Sequence, residues 1–355
     1  MRSQDFLPNI NNYKLVEHGE VNAKAPSNIA LVKYWGKVEV QIPANTSISY
    51  TLTNCFTQTN IKFTRKPTEG FDIKVLLEGK EAPDFKEKIL NFFEIAQPFI
   101  PFIQSYSFEI STKNTFPHSS GIASSASGFA ALALCLVEIE KTLGQTYSPE
   151  FAKTKASFIA RLGSGSACRS IYSGLALWGD HLAVKDSNKR YAIPYPYEIH
   201  PIFKTFCDTI LVVEKNKKKV SSTLGHQLMD SNPYKENRIA SAQENIKELI
   251  TILKEGDVKE FGKIVEHEAL SLHAMMLTSN PPFILMHKNT LEIINKVWAF
   301  RENTGLPLYF TLDAGSSVHL LYPEQDKAKT EAFITQELKP FCEENQCIYD
   351  KVFFE

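Results

Sequence analysis

The chain contains no CxxC pair, no HExxH and no GxxxxGK[ST], and its six cysteines (Cys55, Cys135, Cys168, Cys207, Cys342 and Cys347) are scattered. These absences argue against a zinc site, a disulfide framework and a Walker A nucleotide loop, and they make a reducing cytoplasm the expected location. No run approaches the roughly 18 apolar residues that a bilayer span needs. The opening MRSQDFLPNI lacks the apolar stretch of a secretory signal. Charge of one sign is also missing: 39 Lys+Arg stand against 40 Asp+Glu, for a net charge of −1. No strong field is therefore expected to draw the protein to nucleic acid or to an anionic membrane. Internal repeats and low-complexity tracts are absent too. What is there is a 355-residue chain, 43% hydrophobic and 22% charged. That is an ordinary globular composition, long enough for two domains.

Residues 13–24, 48–64, 71–77 and 106–112 are rich in β-branched and aromatic side chains and broken by Asn, Pro and Gly, which predicts strands. Asn28–Lys33 reads as a buried strand from its apolar content. From Gly121 to Gly144 the chain is apolar almost all round, which predicts a helix buried in the middle of the protein. Ser148-Pro149-Glu150 is an N-cap with proline at the first helical position, opening a helix that stops at Gly163. Residues 172–178 read as a strand. A second half begins near Pro194–Pro201, giving expected domains at 1–195 and 196–355. It holds an expected strand at 209–213 and helices at 235–255, from Asp257 through Leu272, and at about 288–303. Strands at 308–312 and 318–322 and a helix at about 325–340 complete it.

Four segments can carry chemistry. APSNIALVKYWGK (25–37) sets Lys33, Tyr34 and Lys37 at the end of an apolar strand, with Asn28 within it. Buried cations are costly without an anion opposite them, so the segment suggests an anion pocket; the plainer alternative is that both lysines snorkel to water beside Trp35. FPHSSGIASSASG (116–128) enters the long apolar helix. Its small residues would let a phosphate approach unpaired N–H groups where the helix dipole favours negative charge; an ordinary capped helix is the alternative. ARLGSGSACRS (160–170) leads into Arg169, whose planar fork suits a carboxylate, or which lies on the surface beyond a helix–helix turn. TLDAGSS (311–317) puts Asp313 at the end of an apolar strand, as a poorly solvated carboxylate or as a hairpin turn residue. His267 and His273 in HEALSLH are six apart, not on one helix face, and read as packing or supporting groups.

The order of these segments is more specific than any one of them. KYWGK, PxxxGIASSAS, GSGSACRS, KKVSST (218–223), SLHAMMLTSNPP (271–282) and DAGSS follow one another over residues 21–322. Together they closely resemble the mevalonate diphosphate decarboxylase family of the GHMP kinase superfamily. The resemblance implies a two-domain α+β fold, with an N-terminal half like ribosomal protein S5 domain 2 and an α/β-sandwich C-terminal half. It implies ATP and Mg²⁺ as cofactors, mevalonate 5-diphosphate as substrate, and an active site in the cleft between the halves. In this family the 3-hydroxyl is phosphorylated and the 3-phosphate then leaves with CO₂ to give isopentenyl diphosphate. A cytoplasmic homodimer is also implied.

By motif matching, the resemblance assigns Asp313 to the 3-hydroxyl, Lys33 to the reacting centre and Arg169 to the substrate carboxylate. Tyr34 and Lys37 match the 5-diphosphate contacts. Asn28, Ser164, Ser166 and Ser222 match positions lining the substrate. Ser119, Ser120, Gly121, Ala123, Ser124, Ser125 and Ser127 fall on the ATP phosphate loop, with Ser125 meeting Mg²⁺ through ATP. The chain departs from the commoner pattern at Val38-Glu39, at HSSG (118–121), at Ser316-Ser317 and at Thr223, where some members have a diphosphate-binding arginine. The last departure leaves open a decarboxylase acting on the 5-monophosphate. A mevalonate 3-kinase is disfavoured by the joint presence of Lys33 and Asp313, and a non-catalytic metabolite-binding homologue by the intact set of Lys33, Arg169 and Asp313.

Overall fold

The computed structural model describes residues 1–117, 122–215, 220 and 222–354, without the side chains of Ser222 and Thr223. Two mixed α+β layers organise it. The first is a seven-stranded sheet made of β1 (His18–Val32), β4 (Ser47–Arg65), β5 (Asp72–Leu77), β6 (Lys80–Glu81), β7 (Tyr106–Asn114), β8 (Leu175–Gly179) and β9 (Asn188–Pro194). The small hairpin β2 (Lys37–Glu39) and β3 (Ile42–Pro43) stands beside it. Strand β4 is the organising element: β7 pairs with its C-terminal half, β8 with its N-terminal end, and β1 antiparallel along nearly all of it. Helices α1 (Pro83–Ala96), α2 (Ser124–Thr142) and α3 (Pro149–Gly163) cover the sheet.

The second layer is a four-stranded sheet in the order β11 (Tyr309–Leu312), β12 (Val318–Tyr322), β10 (Cys207–Leu211), β13 (Cys347–Lys351). Among the described residues, the short α4 (Pro201–Lys204) is followed by five α-helices that accompany this sheet: α5 (Ser222–Leu228), α6 (Lys235–Glu255), α7 (Val258–Leu277), α8 (Lys288–Thr304) and α9 (Lys327–Phe333). Beyond β13 the chain joins the first sheet: Phe353 N donates to Thr51 O, and Leu52 bridges Val352. One apolar cluster, holding Ile29, Tyr50, Ile210, Phe261 and Leu321, runs through both layers.

The apolar character of α2 is explained by its position between β1, β4 and α3. Even its Glu140 is fully buried, neutralised by Lys155 of α3 at 2.7 Å. Gly144, at φ +106 after the helix end, has Asn12 O where a Cβ would lie, so no other residue fits that turn.

Several boundaries differ from the sequence-based expectation. The separate strands expected at 13–24 and 28–33 are one strand, β1, that passes through Pro26 with a register shift between Pro26 and Asn28. Proline lacks the N–H a ladder needs, and a bulge accommodates it without ending the strand. The helix expected at about 325–340 is α-helical only to Phe333, then widens to a π turn (Ile334–Leu338) and tightens to a 3₁₀ turn (Lys339–Phe341). Helices α1 and α5 and strands β9 and β13 were not expected. Helix α5 and strands β9 and β13 are short, and packing fixes them more than local pattern does; α1 carries its own signal in the helical spacing of Ile89, Phe92, Phe93 and Ala96.

Candidate active site

Lys33 follows β1 directly, and its chain is clamped on both sides. Its N–H donates to Glu268 Oε2 at 2.8 Å, and its carbonyl accepts from Asn45 Nδ2 at 2.9 Å. Glu268 of α7 is itself saturated by Arg238 and Asn245 of α6. The side chain does not snorkel: Lys33 is 1% exposed. Its Nζ donates to Ala30 O at 2.6 Å and lies 3.3 Å from Asp313 Oδ1. Burial lowers the pKa of this amine, and the Asp313 carboxylate partly opposes that shift.

Asp313 follows β11, in the turn to β12. Its carbonyl accepts from Gly315 N at 2.7 Å and lies 3.1 Å from His273 Nε2, while Thr290 Oγ1 donates to Ser316 O at 2.7 Å. The DAGSS turn is therefore braced from α7 and α8. Asp313 keeps its side chain 30% exposed, the open face of an otherwise buried pair.

Arg169 lies in the 3₁₀ turn Gly165–Ile171 and is 2% exposed, so it is not a surface residue. Its Nε donates to Ser49 Oγ at 2.9 Å and Nη1 to Ser47 Oγ at 2.6 Å, while Nη2 is 3.5 Å from Asn28 Oδ1. Among the described residues no carboxylate is hydrogen-bonded to it. Its pKa is lowered by burial first, against weaker opposing fields that include Asp313. Asn28 is fixed in turn by Ser170 Oγ and Ser166 O. Ser164 and Ser166 are half-buried on the same turn.

Tyr34 and Lys37 continue from Lys33. The Tyr34 ring meets Trp178 edge-on at 4.7 Å and His226 at 4.3 Å, and among the described residues its buried hydroxyl has no hydrogen-bond partner. Gly165 leaves room for that hydroxyl, since a Cβ there would lie 2.9 Å from it. Burial raises the Tyr34 pKa, so the hydroxyl stays protonated and able to donate. Lys37 is half-buried, with its pKa lowered by desolvation. Helix α5 packs over this stretch: His226 Nδ1 accepts from Gly36 N at 3.0 Å, and its ring contacts both Tyr34 and Trp35.

A separate pocket opens at the start of α2. It has about 800 Å³ of atom-free space, part of it open to solvent. Thr57, Thr59, Thr112, Asn114, Ser124 and Ser125 give it polar groups, and Leu77, Phe85, Ile89 and Phe129 give it apolar walls. Ala123 precedes the helix at φ 45, a left-handed geometry costing an alanine about 1 kcal/mol. The N-cap residue, Ala123, has no side chain that can cap the helix, and a helix start of this kind can receive an anion on its first N–H groups. Ser127 is fully buried against Thr57 at 2.7 Å and is not part of the lining. Ser119, Ser120 and Gly121 lie outside the described residues, as does the side chain of Ser222. Among the described residues no group of three or more His, Cys, Asp and Glu could hold a metal ion, and no helix is long and apolar enough to cross a membrane.

Sequence reasoning missed Ser47, Ser49, Arg238, Glu268 and His226. Ser47 and Ser49 alternate with Ile48 and Tyr50, a period-2 signal for a polar face, and that pattern was available in the sequence. The Glu268–Arg238 pair spans two helices and had no local signature.

Two α+β layers, with the Lys33–Asp313 pair spanning them, make a GHMP-kinase-like fold. The diphosphomevalonate decarboxylase-like N-terminal domain profile matches residues 25–189, and the mevalonate 5-diphosphate decarboxylase C-terminal domain profile matches 209–352. Diphosphomevalonate decarboxylase of Ganoderma lucidum is 30% identical over 333 residues, covering 86% of this chain and 79% of that one. The Rattus norvegicus enzyme is 30% identical over 342 residues, covering 90% and 80%. The crystal structure of mevalonate diphosphate decarboxylase from Staphylococcus aureus superposes with a TM-score of 0.81 at 30% identity, over 95% of this chain and 96% of that one. MDDEF in complex with MVAPP, AMPPCP and magnesium gives 0.81 at 26% identity, over 95% and 97%. The chain belongs to the diphosphomevalonate decarboxylase family.

Proposed function

We propose that this protein catalyses the ATP-dependent decarboxylation of mevalonate 5-diphosphate to isopentenyl diphosphate, with release of ADP, phosphate and CO₂. The observation that carries the reading is Arg169. It is a buried cation without a bonded carboxylate among the described residues, beside the Lys33–Asp313 pair. A buried charge left without a counter-ion is costly, and a substrate carboxylate supplies one in a shape the guanidinium fork matches.

Nucleotide and metal fit the α2 pocket. The apolar walls suit a base, the helix start suits phosphate oxygens, and the Ser124 and Ser125 hydroxyls are the hard oxygen donors Mg²⁺ prefers. Bound Mg-ATP supplies the phosphoryl group and neutralises its charge. Asp313, held by its braced turn, orients the tertiary 3-hydroxyl and takes its proton at Oδ1. Lys33 keeps that carboxylate in position and presents positive charge where phosphate arrives. Arg169 aligns the carboxylate that departs as CO₂ while the 3-phosphate leaves. The Tyr34 hydroxyl and Lys37 hold the 5-phosphate end. The cytoplasm as location and a homodimer as working unit complete the proposal; sedimentation equilibrium reads the second.

The experiment is incubation with Mg-ATP and either mevalonate 5-diphosphate or mevalonate 5-phosphate, following ADP and CO₂ in parallel. Both products from the diphosphate are expected. ADP without CO₂ would make the protein a kinase, and CO₂ from the monophosphate alone would replace the substrate.

A further inference from the structure

Four of the six cysteines are buried in places that keep them inert. Burial raises the thiol pKa of Cys55, Cys135, Cys168 and Cys207, the last to about 11. A thiol held protonated is a poor nucleophile. Cys342 and Cys347 differ: their sulfurs lie 3.7 Å apart at the edge of the second sheet. Cys342 is nearly enclosed, whereas Cys347 is half-buried and opens β13. Between them the chain turns back through two left-handed residues, Glu344 at φ 50 and Asn345 at φ 54.

We propose that Cys342 and Cys347 form an oxidisable dithiol, a modification site at which a peroxide closes a disulfide across this turn. Bond formation asks the sulfurs to close from 3.7 Å to about 2.05 Å, a shift within reach of side-chain rotation and a small adjustment of the turn. The roles follow from exposure. Cys347 meets the oxidant and Cys342 resolves. The hydrogen bond from Cys342 lowers the Cys347 pKa, and Lys339 adds to that shift, whereas Cys342 is pushed up. The Cys347 thiolate attacks the peroxide, forming an S–O bond as the O–O bond breaks, and the leaving oxygen takes a proton and departs as water. The Cys342 sulfur then attacks Cys347, the S–S bond forms, the S–O bond breaks and a second water leaves. Two thiols lose two electrons and the peroxide accepts them.

The turn is also an anchor. Glu343 N donates to Val212 O, Val212 N donates to Gln346 O, and Glu343 and Glu344 hold the backbone and side chain of Lys215. The site thus lies at the root of the segment that runs from β10 toward α5.

The test uses the full-length reduced protein, treated with stoichiometric hydrogen peroxide, alkylated with N-ethylmaleimide under denaturing conditions and mapped by mass spectrometry. The expected result is a peptide spanning 342–347 that is 2 Da lighter and unalkylated, and that dithiothreitol restores. The other four cysteines should all be alkylated. In Cys342→Ser, dimedone should trap a sulfenic acid on Cys347. Full alkylation of both thiols after peroxide overturns the proposal, as does oxidation at one of the other four first. So does sulfinic acid at Cys347 without the 2 Da loss. Should the variant fail to fold, the mapping of the unaltered protein decides alone.

Discussion

Lys33 Nζ and Asp313 Oδ1 lie 3.3 Å apart, although 280 positions separate them in the chain. One residue follows the long strand of the first sheet and the other sits in a turn of the second, so the contact exists only when both layers are folded and joined. The lysine is fully buried and the carboxylate partly open. The open side of the pair is therefore its carboxylate.

Asp313→Asn should abolish turnover with little change in nucleotide affinity. The amide keeps the shape and loses both the proton acceptor and the charge opposite Lys33. General base catalysis of this kind contributes about 10²–10⁴-fold, and kcat should fall by that order. Steady-state kinetics and calorimetric titration with ATP check it; a kcat near wild type would remove Asp313 from the chemistry.

Arg169→Gln should damage catalysis far more than ATP binding. Glutamine can still bond Ser47 or Ser49 but cannot neutralise a carboxylate. Losing one partner of a buried charge pair costs about 2–5 kcal/mol, so kcat/KM should fall by roughly 30-fold or more. Equal losses in kcat/KM and in ATP affinity would count against contact with the substrate carboxylate.

The chemistry-bearing segments were more legible than the frame that holds them. KYWGK, GSGSACRS and DAGSS stood out because cations and a carboxylate at the ends of apolar strands need an explanation, and the structure brings Lys33, Arg169 and Asp313 into one region. The family order of motifs gave the two-layer α+β fold, which composition could not. Helix α1 was legible in the sequence and was missed: Pro83 at its start and Ile89, Phe92, Phe93 and Ala96 at helical spacing opposite a polar face mark an amphipathic helix. The Glu268–Arg238–Asn245 group went unseen for a different reason. A buried carboxylate is recognised by its partners, and those lie 23 and 30 positions away on another helix.

Tyr34→Phe should raise the KM for the isoprenoid substrate while leaving kcat and the ATP KM near wild type. Among the described residues the buried hydroxyl has no hydrogen-bond partner, and it packs against Gly165, where a Cβ would meet it at 2.9 Å; a phosphate oxygen is the acceptor the proposed function gives it. A hydrogen bond to a charged group contributes about 1.5–3 kcal/mol, which corresponds to a KM increase of about 10-fold or more. An unchanged KM would mean that this hydroxyl does not meet substrate.

Glu268→Leu should destabilise the fold by about 3–5 kcal/mol, because it leaves Arg238 buried without its counter-ion. Urea denaturation measures the loss. Adding Arg238→Met should recover part of it, since removing both partners leaves no orphaned charge. A double variant no more stable than the single one would show that the carboxylate acts chiefly through its bond to the Lys33 backbone.

His226 gives the protein a dependence on acid. Desolvation, with a smaller push from Lys37, lowers its pKa from 6.5 to about 3. The unfolded chain thus takes up this proton more readily than the folded one. The stability associated with the neutral ring is fully present above pH 6.5 and is lost as pH falls between 6.5 and 3. Between pH 7 and pH 4 this linkage is on the order of 3 kcal/mol. The comparison is with His226→Gln, which can keep an acceptor for Gly36 N but does not titrate. Chemical denaturation at both pH values should show the wild-type protein losing about 3 kcal/mol more than the variant over that interval. Parallel losses would mean that the ring is protonated in the folded state, and that α5 lifts from Tyr34 and Trp35 to allow it.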